Sequence, residues 1–167
     1  MIFNSDINIE EFNFSSDKAI LDQIYNLNQC NTPEVGSLDS YNDLIGLLDK
    51  SSVNYFLFNG DKVIGFIVCF RENATYKTKN YKIYSTIKNQ FLYIDRVVIK
   101  ELHRRKGIGK SLYRNIESIS ISKNIPLCCE VNIEPLNQPS IDFHNNFGFH
   151  KLGSYDFDDH SVAYFKK

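Results

Sequence analysis

The chain has 167 residues, 43% of them hydrophobic and 23% charged. Area scaling leaves roughly 8,500 Å² exposed on folding against about 28,000 Å² unfolded, a core sufficient for one domain over residues 1–167. Lys+Arg of 19 against Asp+Glu of 20 gives a formal net charge of -1, which excludes the global basic field that attracts nucleic acid. No run of about 18 apolar residues occurs, and Met1 leads into Ile-Phe-Asn-Ser-Asp, so neither membrane insertion nor export is expected.

The N-terminal third reads as helical. Ser16-Asp17 caps a helix from Ala19 to about Gln29 with Ile20, Ile24 and Leu27 on one face. Pro33 and Gly36 break the chain, and Ser37 precedes a second amphipathic stretch carrying Leu38, Tyr41, Leu44, Ile45 and Leu48. From Val53 the pattern changes. Residues 54–58 and 62–70 are apolar runs joined by Asn59-Gly60-Asp61, a hairpin set inside a sheet rather than at its solvated edge. The polar segment 71–90, with Tyr76, Tyr81 and Tyr84 among lysines, reads as a loop or a short helix.

A strand over 91–100 precedes a helix from Gly107 to about Ser122, whose Ile108, Leu112, Ile116 and Ile119 share one face. Strand 127–133, a loop between Pro135 and Pro139, a helix over 140–147 ended by Gly148, and a closing strand pair around the acidic turn 156–159 complete the order. The expected fold is mixed α/β, with one parallel strand pair formed by the strand-helix-strand crossover. Cys30, Cys69, Cys128 and Cys129 show no C-x-x-C spacing, and the adjacent pair points to opposite faces of a strand. They read as buried, reduced residues of a cytoplasmic protein.

The most informative stretch is Arg104-Arg105-Lys106-Gly107-Ile108-Gly109-Lys110-Ser111, which joins a strand end to a helix start. Helix N-termini carry unpaired N–H groups and the positive end of the macrodipole, and two glycines spaced by one residue admit a bulky anion. With the flanking basic residues this is a pyrophosphate nest. A P-loop would need glycine where Arg104 stands, and a dinucleotide fingerprint would need one where Leu112 stands. Both fail.

What remains resembles the GCN5-related N-acetyltransferase superfamily, whose signature Arg/Gln-x-x-Gly-x-Gly/Ala is matched by Arg104, Gly107 and Gly109. Downstream, Asn137, Ser140, Phe143, His144, Gly148 and Phe149 match a second signature, Asn-x-x-Ser/Ala-x-x-Phe-Tyr-x-x-x-Gly-Phe, with His144 in place of the tyrosine. The resemblance covers about Val53 to Phe149, and 93–98 together with 137–149 looks like a bacterial branch of this length. It implies a mixed central sheet with splayed parallel strands flanked by helices. It also implies acetyl-CoA or a related acyl-CoA as co-substrate, direct transfer to an amine, and no metal.

By the same resemblance, amides from Arg105 to Lys110 hold the pyrophosphate, with Ser111 as an extra donor. Main-chain groups of Val97, Val98 and Ile99 pair with the pantetheine arm, and an amide at Val97 or Val98 faces the thioester oxygen. An alkylamine of pKa near 10 is about one part in a thousand neutral at pH 7, a handicap of roughly 4 kcal/mol, so a base is needed. Asp95, of the same parity as Tyr93 and Val97, is the base candidate; the alternative is a carboxylate paired with Arg96 or Arg71. His144 is the candidate acid for the leaving thiolate, or a hydrogen-bonded core residue. Asn137 orients the pantetheine or holds its loop, and Ser140 is a helix N-cap first and a CoA contact second.

His103 reads as exposed turn, and His150 and His160 make no metal-ligand spacing with Cys128 or Cys129. The Tyr76/Tyr81/Tyr84 segment reads as a surface loop or, by the same resemblance, as a substrate contact bordering the acceptor site, and Phe3, Phe12 and Phe14 cover the sheet or a homodimer contact. The expected partner is a small-molecule or peptide amine. The rivals are a CoA-binding sensor without catalysis, a small nucleotide-binding protein, and a partner subunit with a vestigial nest.

Overall fold

The hairpin forms where its turn chemistry asks for it. Gly60 takes φ 61°, and β2 (Val53–Asn59) returns antiparallel as β3 (Lys62–Arg71). The computed structural model describes residues 7–167. Around the hairpin lie β1 (Ile7–Glu11), α1 (Lys18–Gln29), α2 (Tyr41–Lys50), α3 (Lys79–Ile87), β4 (Leu92–Ile99), α4 (Ile108–Lys123), β5 (Leu127–Glu134), α5 (Gln138–Phe147), β6 (His150–Asp156) and β7 (Ser161–Lys166). The seven strands make one sheet in the order β1-β2-β3-β4-β5-β7-β6, antiparallel except for the β4–β5 pair. The mixed α/β architecture expected from the sequence is the one observed.

Helices cover both faces. On one, Leu21 and Ile24 of α1, Leu44 and Leu48 of α2, and Tyr81 and Tyr84 of α3 join Phe66 and Tyr93 in a core cluster. On the other, Leu112, Tyr113 and Ile116 of α4 pack with Ile67, Ile94 and Leu127, with Phe143 and Phe147 of α5 against them. Each fully buried side chain of this size contributes roughly 1.5–3 kcal/mol.

Several local expectations shift. The buried stripe of α1 is Leu21, Ile24 and Asn28, one residue on from the face read at Ile20 and Leu27. α2 is capped by Ser40, not begun after Ser37, because Leu38 is buried ahead of the helix while Ser40 and Asp43 exchange hydrogen bonds. The polar segment contains α3, capped by Thr78. Its tyrosines are not surface groups: Tyr81 and Tyr84 are buried, and Tyr76 stacks on Phe70 at 4.1 Å. Lysines on the outer face of α3 mask that apolar stripe in the sequence. β1 went unread because Ile7 and Ile9 are only half-buried and the strand exists through its pairing with β2. Phe12 is in the core, edge-on to Phe56, whereas Phe14 is exposed and Phe3 lies outside the described residues. Cys69, Cys128 and Cys129 are buried free thiols, but Cys30 is exposed, since it stands just past the last turn of α1.

One irregularity positions the site. β3 pairs β4 from Gly65↔Ile99 to Val68↔Arg96, then resumes at Cys69↔Ile94, so Asp95 is an extra residue. A β-bulge of this kind bends its strand. The parallel pairing to β5 holds only at Leu92↔Leu127 and Tyr93↔Cys128 and then ends. Close approach of β3 and β4 beside the bend needs glycine at 65, where a Cβ would come within 2.7 Å of Ile99 Cδ1 and 2.8 Å of the Val98 carbonyl oxygen. The bulge also overturns the expected parity. Asp95 and Arg96 both reach toward the α1–α3 side, while Val97 packs on the α4 side.

Candidate active site

Where β4 and β5 part, a crevice of about 140 Å³ opens. Asp95 and Val97 line it from β4, Glu130 from β5, Tyr113 from α4, and Ser140 and His144 from α5. Asn137 and Cys129 also border it, and Glu34 and Val35 of the α1–α2 connection close the opposite wall. Of the side chains expected to share a site, the structure thus brings Asp95, Val97, Asn137, Ser140 and His144 together. Val98 instead points into the α1–α3 core, and Ile99 packs on the α4 side. Neither withdraws its main chain from the strand.

Beyond Ile99 the chain makes a turn of 3-10 helix, Glu101–His103, in which His103 is half-buried rather than exposed. Arg105 (φ 59°) and Gly107 (φ 76°) both take left-handed backbone conformations, bending the chain into α4. No side chain among the described residues caps α4, whereas Asp17, Ser40, Thr78 and Asn137 cap the other four α-helices. The first-turn N–H groups, from Ile108 through Ser111, and the positive dipole end therefore face outward. A Cβ on Gly109 would meet only Ile99 Cγ1 at 3.6 Å, an ordinary contact, so the protein's own packing does not demand glycine there. Arg105, Lys106 and Lys110 are exposed around this helix start and Ser111 is half-buried. Arg104 differs, because its Nε donates to the Ile99 carbonyl (2.8 Å) and its Nη2 to Asn31 Oδ1 (2.6 Å).

Inside the crevice, Asp95 accepts from the Tyr76 hydroxyl (2.6 Å) and from Arg96 Nε (2.8 Å), in an ion pair whose side chains are 6% and 7% exposed. The alternative of pairing with Arg96 is thus the geometry found; Arg71 pairs with Glu72 instead. Glu130, which sequence reading passed over, accepts from the Tyr93 hydroxyl on both oxygens (2.9 and 2.7 Å) and from Asn80 Nδ2 (3.2 Å). Burial, then the charge of Asp95, push its pKa up to about 8, against the pull of those hydrogen bonds. A signal existed: Glu130 is the only charge in the run Leu127 to Ile133, beside the expected splay.

His144 is buried. Its Nδ1 donates to the Ser140 carbonyl (2.7 Å) and its Nε2 meets the Tyr113 hydroxyl at 2.9 Å, which makes the hydroxyl the donor. Burial lowers the imidazole pKa, the Ser140 carbonyl opposing, and raises that of Tyr113. At neutral pH the phenol carries its proton and the imidazole Nε2 does not. Asn137, not Ser140, caps α5: its side chain accepts from the Ser140 N–H at 3.3 Å, because Pro139 already sits in the first helical turn. The Cys129 thiol, raised by burial, is unreactive. Among the described residues no group of three or more His, Cys, Asp or Glu is placed to hold a metal, and no helix is long and apolar enough to cross a membrane.

A sequence model of the acetyltransferase (GNAT) family matches residues 21–149. No curated protein matches. Among solved structures, Arabidopsis thaliana NAA60 in complex with acetyl-CoA superposes with a TM-score of 0.71 at 15% identity, over 96% of this chain and 97% of that one. An aminoglycoside 6'-N-acetyltransferase complexed with coenzyme A gives 0.73 at 14% identity, over 96% of both chains. Arabidopsis thaliana Naa50 in complex with the bisubstrate analogue CoA-Ac-MVNAL gives 0.69 at 19% identity, over 97% and 98%.

Proposed function

The chain belongs to the acetyltransferase (GNAT) family, and from that premise we propose that it transfers an acyl group, acetyl foremost, from acyl-CoA directly to an amine. The observation that carries the proposal is the parting of β4 from β5 immediately beside the uncapped, glycine-bearing start of α4. Main-chain N–H groups from Arg105 to Lys110 would hold the pyrophosphate, Ser111 adding its hydroxyl. The main chain of Val97 to Ile99, turned toward the gap, would pair with the pantetheine arm. Asn137 and Ser140 border the same gap and would steady that arm. The complexes of the structural neighbours with acetyl-CoA and coenzyme A support this placement.

Glu130 is the proton acceptor in this reading, in preference to Asp95. A carboxylate with a pKa near 8 is matched to an ammonium at neutral pH, whereas Asp95 is held by Arg96 and Tyr76 and acts by raising Glu130. On the thiol side, the proton lies on Tyr113, and His144 takes the part of the acceptor that fixes the phenol. The departing thiolate receives the Tyr113 proton, which solvent restores. The acceptor is a small-molecule or peptide amine. Residues 1–167 work as one domain, in a reducing compartment such as the cytoplasm, which suits four free cysteines.

Calorimetry with acetyl-CoA and free CoA, followed by thiol release in the presence of an alkyl diamine, an aminoglycoside and a peptide with a free N-terminus, tests this. The expected result is one CoA site and amine-dependent thiol release. A ligand at 100 times its dissociation constant also adds about 2.7 kcal/mol of stability. Absence of CoA binding overturns the proposal; binding without release for any amine makes the chain a sensor.

A further inference from the structure

Arg96 follows the bulge residue and is nearly enclosed, with a side chain 7% exposed. Its guanidinium reaches three elements. Nε donates to Asp95 Oδ2 (2.8 Å), and Nη1 donates both to Asn28 Oδ1 (2.8 Å) and to the Gly36 carbonyl (3.1 Å). Asn28, fully buried in the last turn of α1, donates to the same Gly36 carbonyl at 3.1 Å. On the far oxygen of Asp95 the Tyr76 hydroxyl brings in the segment before α3. Between the anchored positions 28 and 36 the chain carries Glu34 and Val35, the crevice wall on the α1–α3 side. The same connection is held from the α4 side by Arg104 through Asn31.

A buried ion pair of this kind adds little net stability, because desolvation offsets its attraction. What it does supply is geometry, since a planar guanidinium with several donors fixes its partners in direction as well as distance. We infer that Arg96 is a positioning residue that sets the α1–α2 connection, and through it the wall against which the acceptor amine is presented to Glu130. The inference rests on the acyltransferase reading. There, acyl-CoA held at the start of α4 comes in from the α4–α5 face and leaves the Glu34–Val35 wall to the acceptor. The link to Arg104 places that wall in mechanical contact with the nest as well.

Two variants and two measurements test this. Arg96→Lys keeps the charge but loses the fork; Asn28→Ala removes one anchor and leaves the Arg96–Asp95 pair intact. In steady-state kinetics with the most active amine of the panel, each is expected to raise the amine KM at least tenfold. For Asn28→Ala, which leaves the Arg96–Asp95 pair in place, the KM for acetyl-CoA and kcat should stay within threefold of the parent. In hydrogen exchange of the unliganded protein, amides over 31–37 are expected to exchange at least tenfold faster, while those of β2 and β3 are unchanged. An unchanged amine KM, equal loss in both substrates, or exchange that rises evenly across the sheet overturns the inference. If the parent neither binds CoA nor releases thiol, the function reading fails by itself, and the exchange measurement still decides whether Arg96 sets the connection. Should Arg96→Lys not fold, Asn28→Ala decides it.

Discussion

At the start of α4 the groups turned outward are backbone N–H groups, framed by the exposed side chains of Arg105, Lys106 and Lys110, which have no fixed partner among the described residues. Some residues away, in the gap between β4 and β5, the working groups are side chains: Glu130 on Tyr93 and Asn80, Asp95 on Arg96 and Tyr76, Tyr113 on His144. The nest depends on where glycine and a left-handed turn place the main chain, and most side chains around it can change at little cost. The gap depends on carboxylates and phenols whose chemistry is set by burial and by each other, so single atoms matter there.

Replacing Glu130 by Gln tests the side-chain end hardest. Loss of the proton acceptor is expected to lower kcat about 1,000-fold, with acetyl-CoA affinity unchanged in calorimetry. The parent rate should climb with pH and level off above about 8, where the carboxyl is ionised, and the variant should lose that limb. Stability carries the opposite sign. A carboxyl raised from 4.5 to about 8 in the folded state holds its proton more tightly there than in the unfolded chain. Stability from this group is therefore full at low pH and declines as pH rises through that window, and Glu130→Gln abolishes the decline in chemical unfolding.

At the backbone end, Gly109→Glu sets a carboxylate on the outward N–H groups of α4 and is expected to weaken CoA binding about 100-fold, or about 2.7 kcal/mol. Gly109→Ala should fold normally, since its Cβ meets nothing closer than 3.6 Å. Tyr113→Phe comes next, with kcat down about tenfold because a phenol raised by burial is a weak donor. His144→Phe should cost less, since it frees the phenol rather than removing it, and a larger loss there would return the donor role to His144. Smallest is Lys106→Ala. This exposed cation should change CoA affinity about twofold at low salt and not measurably at high salt.

The glycine turn before α4 and the elements around it were legible because their signals are local. Gly60 in the hairpin turn, the four-residue spacing along α4, and Gly148 after α5 each announce a conformation without reference to the rest of the chain. The gap was legible only in outline. Asp95 and His144 were singled out and Arg96 was named as a partner for Asp95, but Glu130, Tyr113 and the reach of Arg96 to Asn28 were not. Their meaning comes from partners 31 to 68 residues away, such as Tyr113 to His144 and Arg96 to Asn28. Segment 71–90 stayed open between a loop and a short helix for a related reason, since the burial of Tyr81 and Tyr84 comes from the sheet they cover and not from the lysine-rich segment that holds them.

By itself, then, the order of residues determined which segments are strands and helices over most of the chain, and where a glycine-bearing turn would open α4. Propensity, turn chemistry and periodicity act over a few residues and can be read there. The tertiary structure alone decided which carboxylate is raised and which is paired. One extra residue at Asp95 puts it and Arg96 on the same side of β4, where they pair, while Glu130 is buried beside Asp95 against Tyr93 and Asn80 with no cation of its own among the described residues. Burial and charge proximity are properties of the assembled sheet, and no stretch of sequence contains them.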